Sequence, residues 1–440
     1  MSPARPPLHT VLPPLVLGTA TFNTQYVSDP FALPASAIVS RALDLGVRAF
    51  DTSPYYGPSE SILGAALSHP SVTSRPGHAR SSYFLITKVG RVAGGEFDYT
   101  AAWVRYSVYR SLERLVPPGD NDGEEEEQQG RKKKKQKRKL DLVYLHDVEF
   151  VSPGEVVTAA RELMRLRDEE GVIDYVGISG YPVEVLCSLA ELVYRTTGTP
   201  LDAVLSYCHF SVQNTALGSA ATQRRLAEDA RVDVVLNASM LGMGLLTTRG
   251  AGAGPIAAWH PAPEGLRAAA HALAPVAEAA GEKLEVVAIR WALDNWARVG
   301  AARGAVVAGE GKQQQQQQRV GVSVMGISSV AELEETVSVF RSVMDGLLVS
   351  ETPESESDED KDRRAKSLER RDKIQGLVEK MWEVLGRWKD YSWSSPEPGF
   401  VNARKPGQMG VVPDDGIFEK HSPVRLKVEE VPAEEPAVQG

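Results

Sequence analysis

Cysteine is scarce: Cys187 and Cys208 are the two present in 440 residues. A pair of thiols rules out a disulfide framework and a cysteine-built zinc site, and fits free thiols in a reducing compartment. No metal is expected. Uncharged apolar runs of membrane-spanning length are also missing. The opening stretch MSPARPPLHTVLPPLVLG is rich in proline and lacks a continuous apolar segment, so it does not read as a secretory signal. The expectation is a soluble, cytoplasmic protein with no membrane partner. An excess of positive charge is absent too, the net charge being −9. That argues against a whole-chain nucleic-acid binder. Finally, no G-x-G-x-x-G turn follows the first apolar run. GAGAGP at 250–255 and GAVVAGEGK at 304–312 fail the spacing of dinucleotide and phosphate loops and read as linkers.

What is present is alternation. Eight apolar runs read as strands: LVLGTA, GVRAFDTS, YFLITKVG, LDLVYLHD, DYVGISG, DAVLSYCHF, VDVVLNASMLG and GVSVMGIS. Helical patterns separate them, at 34–46, 59–67, 100–115, 152–171, 182–196 and 221–230, as a pair within 264–297, and at 330–344. Near-continuous Val, Ile and Leu is the mark of parallel strands covered on both faces or closed on themselves. The count is that of an α/β fold, a (β/α)8 TIM barrel; an open doubly wound sheet is the competitor, without its glycine turn.

Three stretches do not read as core. They are about 117–139, about 301–319 with six glutamines at Gln313–Gln318, and the acidic 350–364. Each is too polar or repetitive to offset its ordering entropy, and such tracts are tolerated at loop tips. The barrel is thus expected over 1–348, an acidic linker over 349–366, a helix and tail over the barrel at 367–404, and disorder at 405–440. RKKKKQKRK at 131–139 is a candidate localisation or nucleic-acid patch, but it follows EEEE, and a solvated insertion is the better reading.

A barrel carries its active site at the C-terminal strand ends. The second run closes on Asp51, with Tyr55 and Tyr56 in its loop; the third closes on Lys88, the fourth on His146 and Asp147. Ser179, then Ser206, Tyr207 and His209, then Asn237 and Ser239 close the next three. Singly, each has a packing or capping explanation. Together, three successive strands bring a carboxylate, an ammonium and an imidazole to one rim with a phenol beside them. A neighbouring ammonium lowers a phenol's pKa, a carboxylate fixes the ammonium, and an imidazole orients a substrate oxygen. That set makes a general acid/base without metal.

FDTSPYYGPSE, FLITKVG, LDLVYLHD, YVGISGY and SMLGMGLLT, in that order, resemble the aldo-keto reductase superfamily, over about Leu15 to Met344 without the insertions. GTATF and LSYCHFSVQN resemble its D-arabinose and L-galactose dehydrogenase branch. The resemblance implies a catalytic tetrad of Asp51, Tyr56, Lys88 and His146, with Tyr55 a pocket or packing residue. It implies a nicotinamide cofactor bound without a glycine fingerprint. Gly18 and Thr19 would line the nicotinamide side and Ser179 would meet the carboxamide, although Gly180 stands where the family usually has Asn. Ser239, Leu241 and Gly242 match the pyrophosphate loop; Gly326, Ser328 and Ser329 match the adenosine-phosphate segment, followed by Glu332 and Glu335. A glutamate at 332 repels a 2′-phosphate, which favours NAD over NADP.

The implied activity is oxidation of an aldose at C1 to the lactone, D-arabinose favoured. L-galactose oxidation, aldehyde or pyridoxal reduction, and a cofactor-sensing regulatory protein are the alternatives. Phe22, Tyr55, His209 and Trp259, with Trp393 from the tail, are the candidate sugar contacts, because aromatic faces and donors suit a pyranose. Oligomeric state is not legible.

Overall fold

The computed structural model describes residues 5–116, 138–252, 254–307, 318–347 and 357–421. Eight parallel strands close into a barrel in the order β1-β10-β7-β6-β5-β4-β3-β2. They are β1 (Leu15–Gly18), β2 (Ala49–Asp51), β3 (Phe84–Val89), β4 (Leu140–His146), β5 (Ile173–Gly180), β6 (Ala203–Tyr207), β7 (Val234–Ala238) and β10 (Val322–Gly326), with helices between most successive strands. Two short strands, β8 (Ala305–Val307) and β9 (Gln318–Val320), pair antiparallel outside the barrel.

The strands read as solid apolar runs because both faces are covered. Along β4, Leu142 and Tyr144 belong to the inner cluster, while Leu140, Val143 and Leu145 belong to the outer layer beneath the helices. Val16, Ala49, Ile86, Leu205, Leu236 and Val324 also fill the interior. The barrel interior is therefore a packed core. Among the described residues, no helix is long and apolar enough to cross a membrane.

Three expected boundaries are corrected. The expected 301–319 insertion is narrower. Ala305 and Val320 are fully buried partners in the β8–β9 ladder, and Ala305 packs with Leu8 and Leu12 in the inner cluster. Three-residue strands beside a glutamine tract leave too short a pattern to recognise; 308–317 lie outside the described residues. The expected acidic linker is partly helix. Asp358–Leu385 is one helix, and the Ser357 side chain accepts from Asp360 N at 3.1 Å. Its acids occupy the first turn, where the helix dipole favours them. Residues 405–421, expected to be disordered, pack by polar anchors instead of apolar periodicity. Tyr106 Oη donates to Asp415 at 2.7 Å and Lys420 Nζ to Glu113 at 2.8 Å. Residues 117–137, including most of the basic run, and 422–440 lie outside the described residues.

Candidate active site

Strand pleat decides which side chains reach the mouth. Successive residues alternate between the two faces of a strand. Asp51, Lys88 and His146 each stand two residues beyond an inner-cluster residue: Ala49, Ile86 and Tyr144. All three therefore point inward, and the register sets Gly18 beside Asp51 and His146 beside Ser179. Tyr56 arrives from the turn after β2, where its N–H donates to Ser53 O at 3.0 Å. Gly57 follows at φ +58°, a left-handed conformation that glycine adopts without penalty.

Lys88 Nζ donates to Asp51 Oδ1 at 2.6 Å and to Thr52 O at 3.0 Å. It lies 4.9 Å from the centre of the Tyr56 ring. His146 meets that ring edge-on, with centroids 5.6 Å apart. Its Nδ1 is 3.0 Å from Ser53 Oγ, and its carbonyl accepts from Tyr99 Oη at 2.7 Å. The four side chains thus converge on one space.

Their electrostatics differ from the expectation in one respect. Burial pushes the Tyr56 phenol well above its ordinary range; Asp51 and Asp147 push the same way, and Arg91 opposes them. Lys88 is bonded to Asp51, and with the net shift upward Tyr56 holds its proton at neutral pH. Burial also pushes the Asp51 carboxyl up, and the Lys88 contact works against that. His146 is driven down to about 3 by burial, which makes it a neutral imidazole at neutral pH.

A cavity of about 770 Å³ opens above these groups. It reaches from Gly18, Asp51, Tyr56, Lys88 and His146 past Ser179, Ser239 and Leu241 to Gly326, Ser328, Glu332 and Glu335. Tyr55, Trp259 and Trp393 line it as well. An elongated space with bare glycine backbone and hydroxyls along its wall suits an extended dinucleotide. A Cβ on Gly18 would stand 3.1 Å from Val324 Cγ1 and 3.2 Å from Met325 O, so a larger residue is tight against the neighbouring strand.

Five expected site residues lie elsewhere. Thr19 is buried behind the wall, bonding Asp51 O at 3.1 Å and Ser59 Oγ at 2.7 Å. Phe22 is fully buried in the outer hydrophobic layer. His209 sits under the tail, its Nε2 3.1 Å from Ser392 Oγ and its ring 4.2 Å from that of Tyr181. Gly242 turns the loop at φ +58°, its carbonyl accepting from His260 at 2.8 Å. Ser329 caps a helix, its Oγ accepting from Glu332 N at 3.2 Å. At Gly180 a Cβ would stand 2.3 Å from Glu149 Oε2, so a larger residue there requires the Glu149 side chain to move.

Other lining residues escaped the sequence reading. Arg91 lies over the Tyr55 ring at 3.8 Å and pairs with Asp147. Its signal was weak: a cation after a glycine reads as solvated. Phe150 and Phe400 also line the cavity, together with Tyr207, which was expected at the rim from its strand end. Phe400 belongs to a tail pinned across the mouth. Trp393 stacks on Tyr181 at 4.5 Å, Ser395 Oγ donates to Glu149 at 3.0 Å, and Asn402 bonds both N and O of Phe97.

The Aldo/keto reductase family pattern matches residues 14–116 and 125–347. D-arabinose 1-dehydrogenase of Saccharomyces cerevisiae is 39% identical over 300 residues, covering 67% of this chain and 78% of its own. L-galactose dehydrogenase of Arabidopsis thaliana is 30% identical over 306 residues, covering 69% of this chain and 77% of its own. On these matches the chain belongs to the aldo/keto reductase family.

Proposed function

We propose that this oxidoreductase removes hydride from C1 of an aldose and delivers it to NAD or NADP, D-arabinose being the favoured sugar. The observation that carries the reading is the convergence of Asp51, Tyr56, Lys88 and His146 on one cavity. The similarity to D-arabinose 1-dehydrogenase supports the sugar.

Gly18, Ser179, Ser239, Leu241, Gly326 and Ser328 would hold the cofactor along the cavity wall. A nicotinamide held there would supply the hydride acceptor, and the positive charge of its oxidised form would favour the phenolate of Tyr56. The chain's own groups manage the proton. His146, neutral, orients the C1 oxygen by hydrogen bonding. Tyr56 must first lose its own proton; as phenolate it takes the C1 hydroxyl proton while hydride leaves and the C1 carbonyl of the lactone forms. In reduction it returns that proton, the role its raised pKa already favours. Lys88, fixed by Asp51, keeps a cation beneath the ring. Glu332 and Glu335 on the far wall favour the 2′-hydroxyl of NAD over the 2′-phosphate of NADP.

The test is Tyr56→Phe with D-arabinose, L-galactose and pyridoxal, each with NAD and NADP. Expected is turnover of D-arabinose by the parent and a fall of roughly 10²–10⁴-fold in the variant at unchanged stability. Near-normal turnover by Tyr56→Phe would refute the assignment. A preference for pyridoxal with NADPH would overturn the sugar and the NAD preference together.

A further inference from the structure

Between Asp51 and the two tyrosines stands a serine that the proton transfer does not employ. Ser53 is 1% exposed, and among the described residues its hydroxyl has two hydrogen-bonding neighbours. Tyr55 N donates to Oγ at 3.1 Å. His146 Nδ1 lies 3.0 Å from the same oxygen. The Ser53 carbonyl accepts from Tyr56 N at 3.0 Å, so the turn that delivers Tyr56 also delivers this hydroxyl.

The hydrogens available fix the direction of the Ser53–His146 bond. A hydroxyl has one hydrogen to give and two lone pairs to receive. The Tyr55 N–H can only donate, so it takes a lone pair. The hydroxyl hydrogen is left with one acceptor among the described residues, His146 Nδ1. Burial keeps the imidazole neutral, with a single N–H to place. Placed on Nδ1, it would leave the hydroxyl hydrogen buried with nothing to receive it, which is costly. Asp147 favours the same arrangement: its Oδ2 lies 3.7 Å from His146 Nε2, where a carboxylate repels a bare lone pair and attracts an N–H. Nε2 makes no hydrogen bond to a described residue, and it keeps accessible surface in the cavity that His146 lines.

We propose that Ser53 holds His146 as its Nε2–H tautomer, so that the ring offers a donor, not an acceptor, to the substrate oxygen. Ser53 is a positioning residue that acts through His146. The inference rests on the orienting role given to His146 in the proposed function and names the group that makes it possible. A carbonyl oxygen in reduction, and a hydroxyl oxygen losing its proton in oxidation, both gain from a donor at that point. The reverse tautomer would set lone pair against lone pair. The rival role is a hydroxyl that does no more than brace the turn through Tyr55 N.

The closing experiment reads the tautomer directly. Isotope-labelled parent, Ser53→Ala and Ser53→Thr are compared by NMR of the histidine ring nitrogens at neutral pH, with His146→Gln locating the His146 signals. The same proteins are assayed on D-arabinose and, in the reductive direction, on benzaldehyde. In the parent, Nε2 is expected as a pyrrole-type nitrogen and Nδ1 as a pyridine-type one. In Ser53→Ala the two signals should move toward each other as the tautomers mix, and kcat should fall about tenfold on both substrates, the size of one lost hydrogen bond. Ser53→Thr keeps the hydroxyl and should restore the signals, with kcat within about threefold of the parent. The reverse tautomer or an imidazolium in the parent overturns the inference without any variant, even if Ser53→Ala does not fold. A Ser53→Ala protein that keeps the parent's nitrogen signals also overturns it and leaves the hydroxyl as a turn brace. The expected signals in a parent inactive on every substrate would sink the proposed function and leave the tautomer assignment standing.

Discussion

Lys88 Nζ lies 2.6 Å from Asp51 Oδ1, with side-chain exposures of 2% and 6%. Two opposite charges so withdrawn from water are interdependent. Removing one leaves the other buried without compensation, at a cost of about 3–5 kcal/mol. Lys88→Met is therefore expected to lose both stability and turnover. Lys88→Met with Asp51→Asn should recover much of the stability and none of the turnover. Urea unfolding of the three proteins, beside their rates, checks this. Equal stability of the single and double variants would show that the pair carries no such coupling.

Glu149 gives a pH dependence with a definite sign. Burial and nearby Asp147 raise its carboxyl from 4.5 to about 8. Between these values the unfolded chain has released a proton that the folded chain keeps. Folding stability from this group is thus complete below about pH 4.5 and is lost as pH rises towards 8. Glu149→Gln mimics the protonated form and can keep the bonds from Tyr181 N and Ser395 Oγ, at 3.0 Å each. Its melting temperature should match the parent's near pH 4.5 and exceed it at pH 8. A constant difference across that range would contradict the shift.

His146 contributes in the opposite direction. Its folded value of about 3 lies below the ordinary 6.5, so the unfolded chain takes up the extra proton as pH falls through that window. Stability should decline from about pH 6.5 downwards, and His146→Gln should flatten that decline while abolishing most turnover. Melting curves at half-unit steps of pH would reveal it. A slope identical to the parent's would count against a buried neutral imidazole.

The tail should act on KM. Arg404 Nε bonds Asp98 Oδ2 at 2.8 Å, and its guanidinium covers Trp103 at 4.2 Å. Asp98 is fully buried and also accepts from Gly410 N at 2.9 Å. Arg404→Ala is expected to loosen 394–404, withdraw Phe400 from the mouth, and raise the sugar KM several-fold with little change in kcat. Limited proteolysis would show faster cleavage after residue 393. Unchanged KM with rapid cleavage would separate the tail from substrate binding.

The legible part of this site was the part written in local periodicity. Asp51, Lys88 and His146 close apolar strands, and a pleat of period two aims them from the residues alone. Phe22 and His209 were chosen by chemical type, which says nothing about which side of a wall a ring faces; both are buried away from the cavity. Glu149 and Ser395 are 246 residues apart, and no local pattern announces such a contact. Asp358 to Arg364 looked unstructured because so polar a stretch buries too little apolar surface to offset its ordering entropy. On the first turn of a long helix, Asp358, Glu359 and Asp360 instead offset its exposed N–H groups.

Glu332, the residue proposed to set the cofactor preference, also has a structural role. Its Oε2 accepts from Ser328 N at 2.7 Å and Ser328 Oγ at 2.8 Å, tying the loop to the start of helix Val330–Leu347. Because it also lines the cavity, its charge faces whatever occupies the far wall. Glu332→Arg should lose the tie, at about 1 kcal/mol. It should also trade repulsion of a 2′-phosphate for attraction. Glu332→Gln loses the charge and keeps an acceptor oxygen, so it separates the two effects. The expected order of the NADP-to-NAD ratio of kcat/KM is parent, then Glu332→Gln, then Glu332→Arg, with stability reduced mainly in the last. A ratio equal in all three proteins would remove Glu332 from cofactor choice and leave it as a helix cap, with Arg249 on the same cavity the next residue to change.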